Sequence, residues 1–308
     1  MAIVVVAALM AIAGLITGGG ARAAAPPLRP IDPPVHVVSI GDSYTAGQGV
    51  SPQISPAVPR CRRSLMNFPR LVETKLEYRV GDTTTNHVSL TDASCSSATT
   101  AHTTNGQQTQ LGVNPPQFDA FPASGSGINT DYVTIGFGAN DIVLLGILGN
   151  CRDVHKAGLE TCEHAMTRVG RDPLADIAAT AGAIDAVIAG ARLRAPFAVI
   201  LVVGYPTIVP SAGSSACVPV MGLGVDDMEY FDGVERALNG MLAQRAFVGG
   251  ARFVDTYAPS VGHDACRTPS VRWIEPPTKG SALVGDHPNA NGQRKIADAV
   301  VARIFAAS

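Results

Sequence analysis

Apolar residues along this chain alternate between two spacings. Val35 to Ile40, His87 to Leu90, Tyr132 to Phe137, Phe197 to Val203 and Arg252 to Asp255 are short runs rich in valine and isoleucine near glycine or proline, and they predict five β-strands. Between them the apolar positions fall at helical spacing: Phe68, Leu71, Val72 and Leu76; Met228, Phe231, Val234, Leu238, Met241 and Leu242; Ile296, Val300 and Ile304. Ala175 to Ala195 reads as an alanine-rich helix that stops before Pro196. Strands alternating with helices predict an α/β fold, a three-layer α/β/α sandwich on a mostly parallel five-stranded sheet. Two connections, Gln107 to Thr130 and Pro206 to Val225, are long, and long ordered loops often line sites.

The first segment differs from the rest. Ala2 to Ile16 is almost wholly apolar and runs into Gly18-Gly19-Gly20 and then Ala21-Arg22-Ala23-Ala24-Ala25, the order of a secretory signal peptide cut near Ala23 or Ala25. No Lys or Arg precedes the apolar run, which departs from the usual pattern. An N-terminal membrane anchor is the rival reading, but glycines interrupt the run before the ~20 apolar residues a span requires. The expected organisation is therefore a leader over residues 1–25, a stiff proline-rich lead-in over residues 26–34, and a single domain over residues 35–308. Export to the extracellular space or cell envelope follows.

Composition narrows the function classes. The 308 residues are 46% hydrophobic, enough for a substantial core, and the formal charge of -2 comes without a long basic run, which argues against nucleic acid as a partner. All six cysteines, Cys61, Cys95, Cys151, Cys162, Cys217 and Cys266, lie beyond the leader. An even number in an exported chain predicts disulfides, while the residue types alone leave the pairing open. No Cys-x-x-Cys pair or histidine at ligand spacing points to zinc, so no metal is expected.

Candidate chemistry sits at three places. Ser43, in Gly41-Asp42-Ser43-Tyr44, follows the first predicted strand at a turn that Gly41 would allow; a phosphate-cradling turn or a helix cap would use the same residues. Asp42 is expected to hold that turn through backbone amides. Asn140, in Gly138-Ala139-Asn140-Asp141, follows the third strand and offers an amide donor; it could also cap a helix over 141–148. His287, in Asp286-His287-Pro288-Asn289, precedes the last helix. Of the seven histidines the others look like surface or packing residues, although His263-Asp264 invites a closer look. Together the three motifs supply a nucleophile, an oxyanion donor and a base, as expected of an enzyme attacking a carbonyl through serine.

In this order, over about Val35 to Phe305, the motifs resemble the SGNH, or GDSL-type, hydrolase family of serine esterases and lipases, which has a flavodoxin-like sandwich. The resemblance implies Ser43 as nucleophile, His287 as base and an oxyanion hole from the Ser43 amide, Asn140 and a residue at position 97. Ser97 stands there in Cys95-Ser96-Ser97-Ala98-Thr99, where the family usually has glycine; the amide survives, and the change costs stability only if the position needs positive φ. Similarity to the secreted actinobacterial members, whose cysteines pair sequentially, implies Cys61–Cys95, Cys151–Cys162 and Cys217–Cys266.

Many members carry an acid three residues before the histidine, but Val284 occupies that place here. Asp286 is an alternative acid, although adjacent side chains usually diverge. The similar subgroup includes members that orient the histidine with a main-chain carbonyl, which implies a Ser43–His287 dyad with the Val284 carbonyl on Nδ1. The expected activity is hydrolysis of lipid-like carboxylic esters by a monomer without cofactor, with possible transient contact with a lipid surface. The apolar stretches 142–148, 208–210 and 218–221 are candidates for an acyl groove or for core. Alternatives are a deacetylase or acyltransferase on cell-envelope carbohydrate, or an inactive binding module that retains the fold.

Overall fold

The computed structural model describes residues 34–54, 61–80, 87–123, 129–158, 160–277 and 284–306. The expected leader and all of the lead-in but Pro34 lie outside the described residues. In chain order the elements are β1 (Val35–Gly41), α1 (Ser43–Ala46), α2 (Phe68–Val80), β2 (Val88–Asp92), β3 (Gln107–Thr109), β4 (Gly112–Asn114), β5 (Tyr132–Gly136), α3 (Leu144–Ala157), α4 (Cys162–Arg168), α5 (Pro173–Arg194), β6 (Val199–Val203), α6 (Val218–Met221), α7 (Val225–Val248), β7 (Arg252–Val254) and α8 (Ala290–Phe305).

Five strands form one parallel sheet in the order β2-β1-β5-β6-β7. Both faces are buried, as parallel sheets require. Val38, Ile40, Val133, Ile135, Ile200 and Val202 pack beneath α3, α4, α5 and α7, while Val35, Val37, Leu201 and Val203 pack beneath α2 and α8. The alternation along β1 and β6 thus becomes the two sides of a three-layer sandwich. After β2 the chain returns to the other side of β1 to lay down β5, so the direction of winding reverses between β1 and β5. Ligands of open α/β sheets bind at the carboxyl ends of the strands flanking such a reversal.

All five expected strands and the four periodic helices are present, with shifted ends. Phe197 is 94% exposed and lies in the turn before β6, where Pro196 has already ended α5. Helix ends follow caps rather than apolar spacing: the Asp172 carboxylate accepts from the Leu174 and Ala175 amides to start α5, and the Asn289 side chain accepts from Asn291 and Gly292 to start α8. The first long connection contains the antiparallel β3–β4 hairpin, and the second contains α6. Helix α4, absent from the expected helices, buries only the short face Cys162, Ala165 and Met166. It is held to α3 by Cys151–Cys162, while Cys61–Cys95 and Cys217–Cys266 complete the expected pairing.

The connection from β6 to α7 crosses the carboxyl edge of the sheet over a buried carboxyl. Glu235 of α7 accepts from the Ile208 amide at 3.0 Å. Burial pushes its pKa well above the ordinary value of 4.5, with Asp232 and Asp286 adding to the rise and the Ile208 and Val209 amides opposing it. The folded state therefore holds this proton to higher pH than the unfolded chain does. The associated stability is full below pH 4.5 and is lost as pH rises toward the folded value. Glu235→Gln keeps an acceptor for the Ile208 amide without a charge. Melting temperatures measured from pH 4 to pH 8 should show the variant gaining on the parent as pH rises, by about 2–4 °C for each kcal/mol of penalty removed. A constant difference across that range would contradict the assignment.

Candidate active site

Strand register brings the first two motifs together. Gly41 at the end of β1 lies opposite Gly136 at the end of β5, and the Asp42 amide donates to the Gly136 carbonyl at 3.0 Å. Both glycines are required by close approach rather than by φ: a Cβ on either would lie within 2.3 Å of the Thr45 hydroxyl, whose side chain wedges between the strand ends. The expected reason for Gly41, a sharp change of direction at the turn, is thus replaced by a steric one. Gly138 does need glycine's freedom, at φ 126°.

The nucleophile turn is pinned by buried polar groups. Asp42 accepts from the Tyr44 amide at 2.9 Å and from the Tyr205 hydroxyl at 2.7 Å, and that hydroxyl accepts from the Ala139 amide at 3.2 Å. Tyr205 thereby bridges the Ser43 and Asn140 motifs. Burial raises the Asp42 carboxyl to about 7, against the pull of its Tyr205, Tyr44 and Thr45 hydrogen bonds and with a contribution from the Asp141 charge. The Gln117 side chain brackets Gly41, accepting from its N–H at 2.7 Å and donating to its carbonyl at 2.9 Å. Gln293 of α8 donates to the Tyr44 carbonyl at 2.9 Å.

His287 meets this turn from the opposite end of the chain. Its Nε2 lies 2.9 Å from the Ser43 hydroxyl oxygen, and its Nδ1 lies 2.9 Å from the Gly285 carbonyl. A carbonyl can only accept, so Nδ1 carries the hydrogen and the Nε2 lone pair faces the serine. The orienting carbonyl is therefore that of Gly285, not that of Val284: Asp286 sits at φ 61°, and this left-handed residue turns the carbonyl two positions before the ring inward. Asp286 is not an acid for the ring either. Its carboxylate points away and makes a two-pronged ion pair with Arg152 of α3, both contacts at 2.7 Å.

Ser43 and His287 are both buried. Burial is the largest influence on the imidazole and lowers its pKa below the ordinary 6.5; the Arg62 charge adds to this, while the Gly285 hydrogen bond and the Asp286 charge oppose it. A ring kept neutral at neutral pH can act as a base.

The expected oxyanion donors come from two loops locked to each other. The Asn140 side-chain amide donates to the Ala98 carbonyl at 3.0 Å, and Asp141 accepts from the Thr100 amide at 3.1 Å and from its hydroxyl. Asn140 is not a helix cap, because α3 begins only at Leu144. One Asn140 amide hydrogen remains for a ligand. Among the described residues no acceptor faces the Ser97 amide. Ser97 is exposed and sits at φ 65°, so the serine occupies a conformation that glycine would adopt without strain. Its loop is tied down by the Cys61–Cys95 bridge, by the Ser96 amide on the Cys61 carbonyl, and by Gln107 on the Ser96 carbonyl.

Most of the apolar candidates for an acyl groove are core: Ile142, Leu144, Ile147, Leu148, Ile208, Val209 and Met221 are buried. Val143, at φ 56° three residues after Asn140, and Val220 are exposed. His263 stacks on Trp273, and Asp264 accepts from the Cys266 amide and from Arg267, which leaves neither for catalysis. Among the described residues, Cys217, Asp264 and Cys266 cluster as metal ligands would, but both sulfurs are consumed by a disulfide. Tyr205, Gln117 and Arg152 went unrecognised in the sequence. Tyr205 carried a usable signal, since it stands just past the carboxyl end of an apolar strand; the other two carried none.

Known proteins resemble this chain over most of its length. The model of the GDSL-like lipase/acylhydrolase family matches residues 39–295. Lipase 2 of Streptomyces coelicolor is 34% identical over 281 residues, covering 86% of this chain and 84% of that protein. A lipase of Streptomyces rimosus is 27% identical, with 90% of this chain and 88% of that protein covered. Among solved structures, phospholipase A1 from Streptomyces albidoflavus superposes with a TM-score of 0.66 at 23% identity, covering 87% of this chain and 99% of its own. The extracellular lipase from S. rimosus gives 0.64 at 24% identity, with the same coverage. The two structures support the shared fold. The family match over residues 39–295, with the identity to a curated lipase, carries the assignment: this chain belongs to the GDSL-like lipase/acylhydrolase family of hydrolases.

Proposed function

We propose that this protein is an exported serine esterase or lipase that cleaves carboxylic esters of lipid-like substrates through a Ser43–His287 dyad. The observation that carries this reading is the relay in which the Gly285 carbonyl holds Nδ1 and Nε2 faces the Ser43 hydroxyl, both at 2.9 Å. Nε2 takes the hydroxyl proton as the Ser43 oxygen attacks the ester carbonyl, and the imidazolium returns that proton to the departing alcohol. Water, deprotonated by the same ring, then clears the acyl group. The Ser43 and Ser97 amides and the Asn140 side chain receive the negative charge that develops on the carbonyl oxygen.

A carbonyl in place of an orienting acid preserves the tautomer and forgoes only the stabilisation of the imidazolium charge. Three disulfides support a life in an oxidising compartment. Val143, three residues after Asn140, and Leu111 and Val113 of the hairpin that Gln107 ties to the Ser97 loop present exposed apolar side chains, which support preference for apolar acyl chains or transient contact with a lipid surface. Rates compared across acyl lengths test this preference. Equal rates on acetyl and long-chain esters would remove it.

Two measurements test the mechanism. Asn140→Ala should lower kcat by ~10²- to 10³-fold on chromogenic esters with little change in KM. A loss confined to KM would refute the oxyanion role. In the profile of kcat/KM against pH, activity requires the neutral ring, so it should rise with pH to a half-maximum below 6.5 and then level off. An acid limb centred well above that value would contradict a buried neutral base.

A further inference from the structure

The Arg152–Asp286 pair has no part in the proton relay, yet it is a two-pronged ion pair made by the segment that carries the base. Both side chains are largely buried, and the guanidinium spends its two terminal nitrogens on the carboxylate and its Nε on the Met221 carbonyl at 2.9 Å. Asp286 pays conformationally for this contact, since φ 61° is a region that residues with a Cβ rarely adopt. The same twist has three consequences at once. It sends the carboxylate to α3, presents the Asp286 carbonyl to the Tyr44 hydroxyl at 2.5 Å, and leaves the Gly285 carbonyl against Nδ1.

The flanking residues are clamped on the other side. The Asp286 amide donates to the Glu275 carbonyl at 2.7 Å, the Glu275 amide donates to the His287 carbonyl at 2.9 Å, and a Cβ on Gly285 would lie 2.8 Å from the Pro277 Cα. Against that rigid edge, the Asp286 side chain is the handle by which α3 sets the twist. Arg152 itself follows Cys151, whose disulfide to Cys162 fixes α3 against α4.

We propose that Arg152 is a positioning residue for the base: its two-pronged grip on Asp286 holds the left-handed turn that orients the His287 ring between the Gly285 carbonyl and Ser43. This inference rests on the dyad reading above. The pair also has an electrostatic side. The charged and titratable groups facing this segment are Arg152 from α3, Glu235 from α7, Tyr44 from the nucleophile turn, the Arg272–Glu275 pair from the stretch beside it, and Arg62 from the loop after Cys61. Of these, Arg152 is the group that directly compensates the Asp286 charge next to the ring.

The test uses the purified full chain, with kcat, KM, melting temperature and the acid limb of kcat/KM measured on one chromogenic ester for four variants of the pair, and with His287→Ala and Ser43→Ala as references. Arg152→Met should lower kcat by about 10- to 100-fold, with KM within about threefold of the parent. It should also move the acid limb to higher pH, because the uncompensated carboxylate favours the protonated ring. Asp286→Asn, which tolerates left-handed φ, should move the limb to lower pH. Arg152→Lys, which keeps the charge and the fold but loses the fork, should leave the limb in place with an intermediate kcat. In Arg152→Met/Asp286→Asn the limb should return toward that of Asp286→Asn. If instead Arg152→Lys and Asp286→Asn lower only the melting temperature, with kcat and the limb unmoved, the pair is structural and the proposal is overturned. If Asp286→Asn is as inactive as His287→Ala, the carboxylate acts directly and the proposal is likewise overturned. Ser43→Ala checks the dyad separately: turnover that survives this change removes the dyad reading, and the inference with it, irrespective of what the Arg152 variants do.

Discussion

The pairing of β1 with β5 is the constraint on which the rest of the site depends. Parallel neighbours have no slack in register when both faces of the sheet are buried, because a slip of one residue would turn Val38, Ile40, Val133 and Ile135 out of one core layer and into the other. With register held, Gly41 and Gly136 end side by side, and the two motifs that leave the sheet there emerge as neighbours although almost a hundred residues separate them. The Asp42 amide on the Gly136 carbonyl then continues the ladder one step past the glycines, to the residue before the nucleophile.

Beyond the sheet edge, position is maintained by buried polar side chains rather than by apolar packing. Gln117, Asp42, Tyr205 and Gln293 each satisfy backbone groups of the turns that carry Ser43 and Asn140. Such groups are costly to bury unpaired, so each constrains its partners to a narrow geometry. The same burial that makes these contacts directional raises the pKa of Asp42 and Glu235 and lowers that of His287. For the imidazole that shift is useful, since it keeps the ring neutral; for the carboxyls it is a cost set against the order they impose.

Departures from the usual family pattern have local physical answers. Ser97 keeps the amide that a glycine would supply, in the left-handed conformation that a glycine would adopt, and the loop around it is cross-linked by Cys61–Cys95 strongly enough to hold a residue with a side chain there. The acid missing at Val284 is not replaced by its charged neighbour. The left-handed Asp286 turns successive groups to different sides, so its carboxylate serves α3 while the Gly285 carbonyl serves the ring.

Much of this protein was legible in its order of residues. Strands, helices and their alternation are written in apolar spacing because burial against a sheet or along a helix face imposes periods of about two and 3.6 residues on any chain. Ser43, Asn140 and His287 lie at element ends, where local pattern changes, and their roles followed from the resemblance of the three motifs, in that order, to the SGNH hydrolases. Local pattern could not show which carbonyl faces Nδ1, since that depends on one φ at Asp286, nor that Arg152, Gln117 and Tyr205 converge on the site from distant elements. Those partnerships arise only when the sheet and its helices have packed. Periodicity is a property of neighbours along the chain and can be read there; the direction in which a buried polar group points is set by whatever the fold brings to it, and that was decided by tertiary structure alone.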